Sequence, residues 1–197
     1  MNAIFWSAGV AAITLALSRG DLDEAIRQGA LAGPVAIEKA LLSNVRLTQL
    51  AAVAAAPVVE DRAELLPSLA RVAAGRDRRI AIPAARAALA IASELAGNEL
   101  ADDLAPGDLR LWRALFEAIA FSGEHPIEVR VAALETCRAL AQFRAPSWHS
   151  RASAKRPMEG GPLSSQQVGF DATAAARDPD PAFRAIAAEL ALPMDAQ

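Results

Sequence analysis

Apolar residues recur along most of the chain at intervals of three and four positions, which places them on one face of an α-helix. The pattern is strongest in the segment that follows Asp108. Its apolar members are Leu109, Leu111, Trp112, Leu115, Phe116 and Ile119. Aromatic residues in such a stripe usually form core, so we interpret them as packing residues and not as a ligand site. The pattern predicts a series of amphipathic helices.

Residues that start and stop helices divide this pattern into segments. Asp21 and Asp77 can each accept backbone N–H groups at a helix start. Gly33 is typical of a helix end, and Pro34 suits the first turn of the next helix. The predicted helices begin near Asp21, Pro34, Val45, Glu60, Arg78, Asp108, Glu124, Phe170 and Ala182. Pro67 lies inside the fourth helix, which is therefore predicted to start or kink there.

Residues 1–19 form a separate apolar segment, since Ile4 to Leu17 carries no charge. The run is shorter than the roughly 20 residues of a transmembrane helix, but it has the length of a signal-peptide apolar region. No Lys or Arg precedes it. Three hypotheses stay open: a signal peptide, a helix that caps the first repeat, and a membrane anchor. The signal-like character favours an exported or periplasmic location, and a capping helix would favour a cytoplasmic one.

Composition favours an all-α fold. Hydrophobic residues make up 53% of the 197 residues, with few aromatic residues and no tyrosine. Alanine contributes much of this content and is the best helix former, whereas strands prefer β-branched and aromatic residues. The formal net charge of −3 argues against a nucleic-acid-binding protein, because phosphate contacts need a basic surface.

One short pattern recurs four times along the chain. An apolar anchor residue starts a helix, Arg usually follows it, and Ala usually stands four positions beyond it. The four anchors are Val45, Ile80, Val129 and Phe183. The residues that follow them are Arg46, Ala81, Arg130 and Arg184, so only the second copy lacks the Arg.

These copies resemble the HEAT repeat, an armadillo-like family. The clearest match is Asp178-Pro179-Asp180-Pro181-Ala182-Phe183-Arg184, and Glu128-Val129-Arg130 is nearly as good. The resemblance covers roughly residues 34–192. It implies a right-handed α-solenoid of about four antiparallel helix pairs within residues 20–197. It also implies a non-catalytic scaffold that mediates protein–protein interaction.

Elementary physics accounts for the repeated pattern. An Asp at the turn can cap the second helix, and the apolar anchor is expected to pack on the first helix. In arrays of this family, an Asp can also pair with the Arg of a neighbouring repeat, for which Arg130 and Arg184 are the candidates. Because one helix pair cannot bury its own apolar face, stability would come from stacking neighbours.

Residues that carry enzyme chemistry are few and scattered. His125 precedes a proline at a turn, and Cys137 lies within a predicted helix, where we interpret it as a small core residue. No cluster has metal-ligand spacing, and no glycine-rich phosphate-binding motif is present. The sequence therefore predicts no catalytic, cofactor-binding or metal-binding residue, and no cofactor.

Residues 144–169 break the helical pattern with an irregular insertion rich in Ser, Pro, Gly and Arg. A loop of this length inside a domain is usually either functional or disordered. Basic and aromatic residues gather in its first part, where they would suit an acidic partner or an anionic surface. The candidate partner-binding residues are Arg144, Trp148, His149, Arg151, Lys155 and Arg156.

Three functions stay open. The first is a scaffold that binds another protein on its concave helix face. The second is a nucleic-acid-binding protein similar to the HEAT-like DNA-alkylation repair glycosylases, which would need basic residues clustered with Trp112 or Trp148. The third is an enzyme or auxiliary factor similar to HEAT-like chromophore lyases, which would need a deep pocket with a perturbed ionisable residue. A membrane partner is expected only if residues 1–19 are retained.

Overall fold

The computed structural model describes residues 3–97, 106–142 and 169–192. Across these residues the regular structure consists of α-helices and short 3₁₀ turns, without strands. The prediction of an all-α fold is therefore confirmed. The chain forms two compact units, Met1–Ile91 and Ala92–Gln197, and the sixth helix runs across the boundary between them in the sequence.

The first unit is built from short helices that begin and end close to the predicted positions. They are α1 (Ala3–Ser18), α2 (Leu22–Ala32), α3 (Pro34–Leu41), α4 (Arg46–Ala55), α5 (Leu66–Ala73) and the greater part of α6 (Arg78–Gly97). The carboxylate of Asp21 accepts the Glu24 N–H at 2.9 Å and caps α2. Gly33 separates α2 from α3 with a φ of 81°, a conformation that favours glycine.

Small residues let the helices of the first unit approach closely. A Cβ atom added at Gly9 of α1 would lie 2.7 Å from the Cβ of Ala32, and one added at Gly29 of α2 would lie 2.8 Å from the Cβ of Ala55. Ile13 of α1 is fully buried. Helix α1 thus packs on α2, α3 and α4. Among the described helices, none combines the length and apolar character needed to span a bilayer.

The segment predicted as one helix from Glu60 to Ala74 consists of two parts. A 3₁₀ turn covers Arg62–Leu65, and α5 starts at Leu66 with Pro67 in its first turn. Proline has no N–H to donate, and the first turn is where that loss costs least. Of the two predicted alternatives, the helix start near the proline is confirmed.

The second unit contains α7 (Pro106–Ala120), α8 (Ile127–Gln142), α9 (Ala172–Ala176) and α10 (Pro181–Leu190) among the described residues. Helix α8 packs against α7 and α10, and α9 packs against α10. The buried large side chains of this unit are Trp112, Phe116, Ile119, Val129, Leu134, Phe170 and Phe183. The prediction that the aromatic stripe of α7 forms core is confirmed, although Leu111 is 56% exposed.

The repeat anchors behave differently in the first copy and in the other three. Ile80, Val129 and Phe183 are buried, as predicted, whereas Val45 is 55% exposed. Val45 has an extended backbone, with φ of −90° and ψ of 111°, and precedes the first residue of α4. The expectation that Val45 packs on the preceding helix is therefore wrong, because this residue lies outside the helix whose face packs.

Candidate partner-binding groove

A groove of about 420 Å³ opens between the turn that joins α3 to α4 and the turn that joins α5 to α6. We call it the turn groove. Its volume lies within the roughly 300–1,000 Å³ that is typical of ligand pockets. Its apolar lining residues are Leu41, Leu42, Val72 and Ile80, and its polar side chains come from Ser43, Asn44, Gln49, Arg71, Arg76 and Asp77.

The floor of the turn groove is apolar. Leu41, Val72 and Ile80 belong to the buried core of the first unit. Leu42 follows α3 directly and leaves 46% of its surface exposed. A ligand that covers Leu42 would bury apolar surface, which is the main favourable term in protein association.

Side-chain hydrogen bonds join the helices that flank the turn groove. The amide nitrogen of Gln49 donates to the Leu41 carbonyl at 2.9 Å and so satisfies the end of α3. The Ser68 hydroxyl donates to the Glu38 carboxylate at 2.9 Å and ties α5 to α3. These bonds indicate a preformed groove, which lowers the entropy that binding would cost.

The charged residues on the rim of the turn groove are Arg71, Arg76 and Asp77. Arg71 and Arg76 are exposed, and neither has an ion pair within the part of the chain that the structure describes. Asp77 lies 3.4 Å from the Nε atom of Arg46, and the two side chains are 46% and 42% exposed. Exposed Arg78 and Arg79 follow directly at the start of α6. The rim thus reverses the sign of the chain's net charge of −3.

Exposed apolar residues continue from the groove along the turn between α3 and α4. Leu42, Val45 and Leu47 are 46%, 55% and 59% exposed. Single exposed apolar residues are common, but three within six positions beside a groove form a patch of the kind that marks interaction sites. The turn groove and this patch together form our candidate site.

In the second unit, the corresponding arginine is used internally. The Nε atom of Arg130 donates to the Ala120 carbonyl at 2.8 Å, and its Nη2 atom pairs with the Asp178 carboxylate. The guanidinium carbon lies 4.0 Å from the centre of the Phe183 ring. Arg130 therefore pairs with an Asp of the next copy, as predicted. Arg184 instead donates to the Asp178 carbonyl at 2.6 Å, within its own turn.

The residues considered for enzyme chemistry are not gathered into a site. Cys137 is fully buried, and burial raises the pKa of its thiol to about 12, which suits the predicted core role and not a nucleophile. His125 is half-buried, and its backbone N–H donates to the Ser122 carbonyl at 3.3 Å. The described part of the chain holds no group of three His, Cys, Asp or Glu side chains that could bind a metal ion.

The predicted partner-binding residues from Arg144 to Arg156 lie outside the described residues, and their role stays a prediction. Sequence reasoning missed the turn groove. It interpreted Asp77 as a helix cap and did not single out Leu42, Arg71 or Arg76. The available signal was the run Arg76-Asp77-Arg78-Arg79, in which one cap residue stands among three cations.

Comparisons with known proteins found no relative of this chain. No family model matches the chain, and neither a curated protein nor a solved structure matches it. The resemblance to HEAT repeats therefore rests on the residues quoted above.

Proposed function

We propose that this chain is a non-catalytic, HEAT-like scaffold that binds another protein at the turn groove. The proposal includes a right-handed solenoid of about four helix pairs, in which the exposed turns and helix faces are available to a partner. The single observation that carries it is the combination of an apolar floor with an arginine rim in one groove.

The HEAT-like part of the proposal is supported by a similar Arg–Asp contact in each unit, in which the aspartate stands three positions before the next anchor in the first unit and five before it in the second. Arg46 follows the first anchor and contacts Asp77, which precedes the second anchor. Arg130 follows the third anchor and contacts Asp178, which precedes the fourth. A link from each copy to the next is the nearest-neighbour interaction expected of a stacked array. The second copy has Ala81 in place of the arginine and would therefore lack this link to the third copy.

The binding part of the proposal is supported by the residue types at the turn groove. Interface centres combine exposed apolar residues with arginine, which contributes both cation and aliphatic surface. Leu42, Arg71 and Arg76 present this combination within one groove. The hydrogen bonds that join α3 to α4 and to α5 would limit rearrangement on binding.

The proposal can be tested by affinity capture of the full chain from the native cells, followed by mass spectrometry. The test variant is Leu42→Glu, which places a charge on the groove floor. The matched control is Leu31→Glu, since Leu31 is 73% exposed and also lies at the C-terminal end of a helix. Any effect of the charge on a helix end is therefore shared by both variants.

We expect one or more proteins to be recovered with the original chain and with Leu31→Glu, and to be lost with Leu42→Glu. Thermal unfolding of all three proteins would establish that they are folded to the same extent. Recovery of no specific protein by the original chain would overturn the proposed function. Equal recovery of the same proteins by Leu42→Glu would show that the turn groove is not where they bind.

A nucleic-acid-binding function is the second candidate, and the arginine rim is the observation that favours it. Trp112, one of the two tryptophans that this function would need beside basic residues, is only 6% exposed. The discriminating measurement is fluorescence anisotropy with labelled single-stranded and double-stranded DNA. Salt-dependent binding that Arg71→Glu and Arg76→Glu abolish would favour this candidate over the scaffold.

A further inference from the structure

We infer that the turn groove receives an acidic segment of the partner protein, in which carboxylate side chains flank one apolar side chain. This inference rests on the proposed function and specifies the chemistry of the partner. It is carried by the size of the groove, the partly exposed Leu42 side chain in its lining, and the two arginines on its rim.

The groove can take one apolar side chain of the partner. Its volume of about 420 Å³ exceeds that of a single large side chain. Leu42 provides exposed apolar surface in its lining, to which the buried residues Val72 and Ile80 also belong. An aliphatic or aromatic side chain placed there would contact carbon atoms on the floor while its backbone remained at the polar rim. The floor therefore selects for an apolar residue at the centre of the bound segment.

The rim selects for carboxylates on either side of that residue. Arg71 and Arg76 come from α5 and from the turn after it, and both line the groove. Neither is neutralised by an ion pair with any residue in the described ranges. The rim's aspartate, Asp77, is already shared with Arg46 at 3.4 Å. A guanidinium group binds a carboxylate through two parallel hydrogen bonds, so two arginines suit two acidic side chains.

The charge distribution favours the turn groove over the rest of the chain's surface as the binding site of an acidic segment. The chain carries a net charge of −3, so an acidic segment is repelled by the molecule as a whole. Among the charged side chains that line the groove, Arg71 and Arg76 outnumber the single aspartate, Asp77. The local field would therefore direct an acidic segment to this site and fix its orientation.

Nucleic acid fits the same observations less well. Non-specific single-strand sites stack bases on exposed aromatic side chains. Within the described side chains, every aromatic residue is buried or half-buried, and none belongs to the groove lining. A phosphate backbone would also leave the apolar floor without a partner. Leu42 and the neighbouring exposed apolar residues favour a peptide ligand.

The test begins with selection from a random peptide library displayed on phage, with the full chain as the target. A parallel selection uses the variant Arg71→Glu/Arg76→Glu. We expect the original chain to enrich peptides in which Asp or Glu flanks Leu, Ile, Met or Phe, and we expect the variant not to enrich them. Enrichment of peptides without acidic residues would overturn the inference, because the arginine rim would then not select the ligand.

The selected acidic peptide is then synthesised with a fluorophore, and its affinity is measured by anisotropy. We expect Arg71→Glu/Arg76→Glu to weaken binding by about tenfold or more, and raised salt to weaken it further. The matched control is Arg86→Glu, an exposed arginine of α6 that does not line the groove, and it should change the affinity less than about twofold. Equal effects of the two variants would overturn the inference.

A charge swap separates binding from a folding defect. A peptide with Lys in place of each acidic residue should bind Arg71→Glu/Arg76→Glu more tightly than it binds the original chain, which a merely misfolded variant could not show. Failure of the swapped pair to bind would count against the inference. If peptides are selected at another surface, or partner proteins are captured that Arg71→Glu/Arg76→Glu still binds, the scaffold proposal stands and the inference about the turn groove fails.

Discussion

The guanidinium of Arg130 and the carboxylate of Asp178 form an ion pair in which each side chain is only 5% exposed. The pair joins α8 to the turn before α10. Two further polar atoms of the pair are also used, since the Nε atom of Arg130 donates to the Ala120 carbonyl and Asp178 accepts the Asp180 N–H at 3.0 Å. A buried ion pair offsets its desolvation only when its atoms are satisfied in this way.

Removing one member of this pair should therefore destabilise the second unit strongly. We expect Arg130→Ala or Asp178→Ala to lower the free energy of unfolding by about 3–5 kcal/mol, because each leaves a buried charge without its partner. Urea denaturation followed by circular dichroism measures the change. The exposed counterpart Arg46→Ala should cost no more than about 1 kcal/mol. Equal costs for Arg130→Ala and Arg46→Ala would contradict this explanation.

The contact between α2 and α4 depends on the absence of a side chain at Gly29. A Cβ atom there would lie 2.8 Å from the Cβ of Ala55 and 2.9 Å from the Cδ1 of Ile37. Gly29→Ala should destabilise the protein by about 1–3 kcal/mol, since buried atoms would have to move apart. Gly107→Ala is the control, because nothing lies within 4 Å of a Cβ added in that first turn of α7. Thermal unfolding should show a lower midpoint for Gly29→Ala alone.

Helix α4 lacks a side-chain cap, and supplying one should stabilise the protein. Val45 occupies the N-cap position with an extended backbone, makes no capping hydrogen bond, and is 55% exposed. Val45→Asp should raise the free energy of unfolding by about 0.5–2 kcal/mol, because its carboxylate can accept N–H groups of the first turn. Val45→Ala tests whether removal of the valine alone has an effect. A gain as large for Val45→Ala would exclude capping as the cause.

The buried thiol of Cys137 should make the stability of the folded protein depend on pH. Burial raises the pKa of its thiol to about 12, and the Sγ atom lies 3.5 Å from the Arg113 carbonyl. An unfolded thiol ionises near pH 8.5, so the unfolded state releases a proton that the folded state keeps. Stability should therefore be unaffected below about pH 8 and should fall between about pH 9 and 12, by at most about 1.4 kcal/mol per pH unit.

This dependence can be measured by urea denaturation of the original chain and of Cys137→Ala across that pH range. Cys137→Ala should lack the part of the pH dependence of stability that the thiol contributes. At pH 8, a thiol-specific reagent should label the native chain slowly and the urea-unfolded chain at once, since Cys137 is its one thiol. Rapid labelling of the native chain would show that the thiol is accessible.

Features that depend on neighbouring residues in the chain were predictable. Asp21, Asp77 and Asp180 cap helices through bonds to N–H groups two or three positions away, so their roles follow from local spacing. The start of α5 near Pro67 follows equally from the missing N–H of proline. These features place the helices, and the apolar stripe of α7 indicates which of its faces packs.

The turn groove could not be predicted in the same way. Its lining joins Leu42, after α3, to Arg71 and Arg76, which come from α5 and the turn that follows it. Nothing in the local sequence indicates that these segments meet, because the hydrogen bond that ties α3 to α5 joins residues 30 positions apart. The loop that sequence reasoning favoured, residues 144–169, lies outside the described residues except for Gly169, and its role stays a prediction.

The sequence by itself determined that the protein is all-α, where its helices begin, and that an arginine follows most anchors. Only the tertiary structure decided what each arginine does. Arg46 and Arg130 occupy the same position in the repeated pattern and each contacts an aspartate, yet their side chains are 42% and 5% exposed. The difference arises because Phe183 and the Ala120 carbonyl cover the Arg130 guanidinium. Burial depends on which distant segments pack over a residue, and repeat position does not encode it.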